Sequence, residues 1–166
     1  MKKIREFTRA EAVEELAYYG IEGPFLYLID IIPLVEMIWA DGKAQESEIE
    51  ILDKYLVKHV GWVNKQAGFQ TLTLKEAKAF ANSFLKQRPS PKLLKTLRLL
   101  LFRIHNTSQN EVVKSRFKSS LLATCMDIAA SSVTEYPYDY SDRFNPAEKK
   151  CFFEIVDSLE RKNGDK

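Results

Sequence analysis

Apolar residues recur along this chain at three- and four-residue intervals, and no strictly alternating run is sustained, so the pattern predicts helices throughout and no strand. Thr8-Arg9-Ala10-Glu11 has the form of a capping box and Gly20 is a natural stop, which predicts a helix over roughly 9–19. Gly23-Pro24 opens a second helix, over about 24–40, with proline at its first position. Pro33 lies inside that segment, where its missing N–H predicts a kink. Apolar residues occupy nearly every side of it, so it is expected to be central and buried. Gly42 ends it. Ile51, Leu52, Tyr55 and Leu56 predict a third helix over about 46–60, with 61–70 as a loop. Thr73 to Glu76 is a second capping box, opening a helix to about Gln87, and Ser90-Pro91 caps the stretch KLLKTLRLLLFRIH. Ser108 to Glu111 is a third capping box, opening a long helix to about Ser132. TEYPYDYSDRF then forms a loop, and Asn145-Pro146 caps a last helix to about Arg161. The sum is one all-α domain of seven helices spanning residues 1–166.

The two ends of the chain share a pattern. Displaced by 100 positions, Ile51, Leu52, Tyr55 and Leu56 fall on Cys151, Phe152, Ile155 and Val156, and Glu48 falls on Glu148. Displaced by 90, Ile31, Ile32, Val35, Ile38 and Ala40 fall on Leu121, Leu122, Cys125, Ile128 and Ala130. One helix-corner-helix unit is therefore expected twice, over about 24–60 and 109–161, with the tyrosine-rich loop as an insertion in the second copy.

Composition adds a charge division. The net charge of +2 conceals −5 over residues 1–60, +10 over 61–122 and −3 over 123–166. Such a field concerns partners rather than fold. The basic N-terminus has no apolar h-region, which argues against a signal peptide. The stretch FLYLIDIIPLVEMIWA contains Asp30, Pro33 and Glu36 and falls short of the roughly 20 apolar residues a membrane span needs. A cytoplasmic protein is expected. Cys125 and Cys151 form no CxxC motif and are expected to be reduced, buried thiols.

The segment ADGKAQESE, residues 40–48, carries the clearest chemical signal. Placed in a calcium-loop frame with Asp41 at position 5 and Gly42 at 6, it puts Glu48 at 12 but Met37 and Trp39 at 1 and 3, which argues against a true EF-hand. A structural role is open: Gly42 supplies a left-handed turn, and Glu48 complements the positive end of the next helix. A metal role is also open. Asp41, Glu48, Glu148 and Asp127 would meet across a pseudo-twofold axis and hold Ca²⁺ or Mg²⁺, with Asp30 joining if the Pro33 kink turns it inward. An aspartate in so apolar a helix needs a partner in either case.

A helix ending in Ala40-Asp41-Gly42, a short corner, and Glu48 opening the apolar run Ile51, Leu52, Tyr55, Leu56 resembles the signature of the TerB-like, tellurite-resistance family. The resemblance covers roughly 24–160. It implies a compact helical cytoplasmic domain with clustered acidic residues proposed to bind a divalent metal. It also implies a stress-response role as a binding or scaffold module. The second copy departs from the pattern, with Ser131-Ser132 where Asp-Gly would stand.

Other residues suggest partners. Lys92, Lys95, Arg98 and Arg103 give the fifth helix a basic side opposite Leu93, Leu97, Leu100, Leu101 and Ile104, suited to an acidic protein or an anionic membrane surface. Tyr136, Tyr138 and Tyr140 suit protein recognition. No DNA-binding motif accompanies the basic block, so nucleic acid is not an expected partner. His59 and His105 belong to no ligand-spaced motif, and no nucleophile has an identifiable base, so a non-enzymatic module is expected. A charge-driven docking adaptor without metal is the alternative function.

Overall fold

The computed structural model describes residues 8–107, 111–131 and 146–160. Seven α-helices occur among them: α1 Arg9–Tyr18, α2 Ile32–Trp39, α3 Glu46–Ala67, α4 Leu74–Leu85, α5 Pro91–Asn106, α6 Glu111–Ser131 and α7 Pro146–Glu160. The described residues contain no strand, as the spacing predicts. None of their helices is long and apolar enough to cross a membrane.

α2 lies at the centre and packs against α3, α5, α6 and α7. Ile32, Leu34, Val35, Met37 and Ile38 are fully buried there, in keeping with the apolar surround of its sequence. Each such side chain contributes about 1.5–3 kcal/mol through removal from water. α1 packs on α5, and α3 packs on α4 and α6.

The segment expected as one kinked helix is two pieces. Gly23–Ile31 is a 3-10 helix, and Pro33 stands at the second position of α2 rather than inside a helix. The reason lies in the missing N–H. In an α-helix the Ile29 carbonyl would accept from residue 33, which is proline. Here it accepts from the Ile32 N–H instead, the tighter 3-10 pattern.

The third helix is longer than its expected end. Gly61 does not stop it, and 61–67 is helix rather than loop. Gly61 has helical space around it, and Val63 beyond it is buried, so packing holds the helix through the weak position. The actual stop is Gly68, left-handed at φ 80°, whose N–H bonds the Asn64 carbonyl. The Asn64 side chain then fastens the following turn, accepting from the Thr71 and Leu72 N–H groups and donating to the Leu72 carbonyl. Thr8, Thr73 and Ser90 cap α1, α4 and α5 as their sequences suggest. The expected caps Ser108 and Asn145 lie outside the described residues.

Candidate functional site

The acidic corner is built by helix ends. Gly42 turns the chain at φ 87°, and Asp41 Oδ1 accepts from the Lys43 N–H at 3.1 Å. At the start of α3, Gln45 and Glu48 form a reciprocal capping box, with the Gln45 N–H donating to Glu48 Oε1 at 3.1 Å. Glu48 is fully buried and its second oxygen, Oε2, has no hydrogen-bond partner among the described residues. Burial pushes its carboxyl up to about 8 against the lowering effect of the Gln45 N–H, and the charges of Asp41 and Glu148 push the same way. Glu148 holds the equivalent third position of α7 and is also fully buried.

The five carboxylates expected to meet are divided between two places. At the corner, the charges of Asp41 and Glu148 both act on Glu48. Asp30 and Asp127 instead line a cleft of about 790 Å³ between α3 and α6. Among the described residues, no three His, Cys, Asp or Glu side chains are grouped so as to hold a metal ion.

That cleft contains a polar constellation absent from the sequence-derived site. Asp30, nearly buried on the 3-10 segment, receives His105 of α5, with Nε2 3.0 Å from Oδ1. His59 of α3 brings its Nε2 to 3.7 Å from Asp30 Oδ2 and hydrogen-bonds the Tyr27 carbonyl. A carbonyl only accepts, so this Nε2 carries a proton and is not free to bind a metal. The need of Asp30 for a partner is met by histidine. The rings are also packed by aromatics: His105 lies parallel to Phe117 with centroids 3.6 Å apart, and His59 stacks between Tyr55 and Trp62. Burial and the neighbouring Asp30 carboxylate hold the Tyr55 phenol well above its usual range, so it remains neutral.

Cations form the rim. Arg116 sits over the Trp62 ring at 5.2 Å, and Lys54 and Lys58 line the same cleft from exposed positions on α3. Ser120 and Thr124 of α6 contribute hydroxyls, and that of Thr124 is engaged with the Ser120 carbonyl at 2.8 Å.

The basic helix needs one correction. Lys92, Lys95 and Arg103 are exposed on α5. Arg98 is not available to a partner: it is 2% exposed and its Nη1 lies 2.7 Å from Glu36 Oε2 on α2. A guanidinium this deep requires a counter-charge, and the central helix supplies it. Burial outweighs the Arg98 attraction and, with a smaller push from Glu154, raises the Glu36 carboxyl to about 7. Tyr136, Tyr138 and Tyr140 lie outside the described residues. Cys125 is a buried free thiol and Cys151 a half-buried one, and burial raises both.

His59 and His105 left a faint trace in the sequence. His59 continues the apolar face Leu52, Leu56 towards Val63, where a polar side chain must find a partner. Asp30, in an equally apolar run, poses the same demand, and the chain has only two histidines. No protein-family model, curated protein or solved structure matches this chain.

Proposed function

We propose that this chain is a non-enzymatic binding module whose ligand site is the α3–α6 cleft, and that the ligand is a small aromatic anion. The convergence of His59 and His105 on the buried Asp30, at an aromatic-lined cleft, carries this reading. Clefts of several hundred Å³ with apolar walls and a few oriented polar groups suit small ligands. Tyr55, Trp62 and Phe117 offer ring surfaces, and Lys54, Lys58 and Arg116 offer charge for an acidic group. The bond of His105 to Asp30 and that of His59 to the Tyr27 carbonyl hold both imidazoles in fixed orientation, which lowers the entropic cost of engaging them. The engaged Thr124 hydroxyl favours binding over nucleophilic chemistry.

Emission from Trp62 tests this, in a Trp39→Phe background that leaves one indole. Titrated 2-naphthoate should alter the emission saturably, and the neutral 2-naphthalenemethanol should bind more weakly. Arg116→Ala should weaken naphthoate by about tenfold, a typical loss for one charge-assisted contact. Emission indifferent to naphthoate at millimolar concentration would sink the reading.

A second reading retains the divalent cation, Ca²⁺ or Mg²⁺, at the Asp41–Glu48–Glu148 corner, in a stress-response module like those of the TerB-like family. The unpartnered Oε2 of Glu48 favours it, since a cation would satisfy that oxygen and relieve the mutual repulsion of the carboxylates. A cation bound only by the folded state raises the melting temperature by mass action. Metal-free protein should then gain several degrees on addition of millimolar Ca²⁺ or Mg²⁺, and Asp41→Ala should abolish the gain. Equal melting with and without metal would remove the corner from consideration.

A further inference from the structure

Each imidazole at the α3–α6 cleft has committed one nitrogen. His59 Nε2 meets the Tyr27 carbonyl, and His105 Nε2 meets Asp30 Oδ1 at 3.0 Å. A carbonyl and a carboxylate only accept, so both Nε2 atoms carry the proton. In a neutral ring the other nitrogen, Nδ1, is then a bare acceptor. Neither Nδ1 has a partner among the described residues. Neither is sealed away: among those residues, the buried side-chain nitrogens and oxygens without a partner are Glu36 Oε1, Glu48 Oε2 and Arg98 Nε. Both rings line the cleft, which is the space the two acceptors open on.

The same end of the cleft gathers cations. His105 lies on Phe117 with centroids 3.6 Å apart. Arg116, the preceding residue, sits 5.2 Å over Trp62, whose ring centre is 6.3 Å from that of His59. Lys58 precedes His59 on α3 and lines the cleft with it. Neither Lys58 nor Arg116 has an ion-pair partner among the described residues. Asp127, the exposed carboxylate of the cleft, stands far along α6 from Arg116, roughly 16 Å away at 1.5 Å per residue, so it does not oppose an acid placed here. Buried acceptors and exposed, unpaired cations thus stand at one end of the cleft with the Trp62 ring between them.

We propose that the ligand of this cleft is an aromatic acid that also carries a hydroxyl or N–H on the far side of its ring, a proposal that rests on the reading of the cleft as a site for an aromatic anion. The acid meets Arg116 and Lys58, and the donor meets Nδ1 of a histidine. His105 is the more accessible of the two, with 20% of its side chain exposed against 8% for His59. An aromatic acid without a donor would cover these acceptors, strip them of water and return nothing, which is costly. One bearing only an acceptor would meet them lone pair to lone pair.

Three acids of one skeleton separate these cases: 2-naphthoate, 6-hydroxy-2-naphthoate and 6-methoxy-2-naphthoate. In calorimetric titrations at pH 8, above the ordinary histidine range, the hydroxy acid should bind about tenfold tighter than 2-naphthoate, as one hydrogen bond to an otherwise unsatisfied acceptor implies. The methoxy acid should bind no tighter than 2-naphthoate. Arg116→Ala should weaken the hydroxy and plain acids by the same factor, because it acts at the other end of the ligand. The chain has 2 histidines, so nitrogen-15 histidine labelling leaves two imidazoles to follow by NMR. Both should show an unprotonated Nδ1 in the free protein. The hydroxy acid should shift at least one of these resonances in the direction of an accepted hydrogen bond, and the methoxy acid should not. Equal affinity of the three acids, or a hydroxy advantage with both Nδ1 resonances unmoved, overturns the proposal and leaves the cleft's preference for an aromatic anion standing. Binding by none of the three overturns both.

Discussion

At the scale of single residues, Glu48 shows how one carboxyl can serve and strain a fold together. One oxygen caps α3, and the other, fully buried, has no partner among the described residues. Its folded-state value near 8 lies above the ordinary 4.5, so the native state holds a proton that the unfolded chain has already released across that interval. Stability must therefore fall as pH rises from about 4.5 to 8, the reverse of a salt-bridged carboxylate. Glutamine keeps the accepting oxygen of a capping box and cannot ionise. Glu48→Gln should accordingly be close to neutral at pH 5 and stabilise the protein by about 1–3 kcal/mol at pH 9, a discounted reading of the shift at 1.36 kcal/mol per unit. Melting curves at the two pH values check this. An equal effect of the substitution at both would mean that Glu48 does not titrate in this range.

At the scale of elements, two glycines in α3 and at its end behave oppositely for one conformational reason. Gly61 has ordinary helical backbone and open space where a Cβ would stand, whereas Gly68 sits at φ 80°. Gly61→Ala should stabilise by about 0.5–1 kcal/mol, since alanine loses less entropy on entering a helix. Gly68→Ala should destabilise by about 1 kcal/mol or more, because a Cβ opposes the left-handed turn. Denaturant titration of both variants would expose the difference in sign, and two shifts of the same sign would refute it. The same pair explains what the sequence could and could not convey. Helix identity was legible from apolar spacing and from the caps Thr8, Thr73 and Ser90. The end of α3 was not, because a glycine's propensity is local while the burial of Val63 beyond it is a tertiary effect. Pro33 was legible as a disruption. Its outcome, a 3-10 segment feeding a new helix, depended on which donor the Ile29 carbonyl would find.

At the scale of the whole molecule, two polar pins fasten the elements across the core. Asp30 joins the 3-10 segment to α5 through His105 and faces His59 of α3, while Glu36 joins α2 to α5 through Arg98. Neither pin was legible as a pair. Arg98 read as one more member of a basic face, because helical spacing fixes which side a residue occupies but not what lies against that side. The acidic corner was legible as a local motif. Its separation from Asp30 and Asp127 was not, since these stand on the 3-10 segment and α6 and their place depends on how those elements pack. The Glu36–Arg98 pin also permits a test of what such pairs contribute. Removing one partner leaves an uncompensated buried charge, whereas replacing both with apolar side chains of similar size leaves none. Arg98→Met alone should cost about 3–5 kcal/mol at pH 8, and less at pH 5, where Glu36 takes up a proton. Glu36→Leu/Arg98→Met together should fall within about 1 kcal/mol of the natural protein or exceed its stability. Chemical denaturation of the two variants decides the matter. If the double variant is as weak as the single one, the pair contributes net stability, and the pin is structural in its own right. If the double variant is stable, the charged pair is not what holds α2 against α5, and apolar packing across that contact suffices.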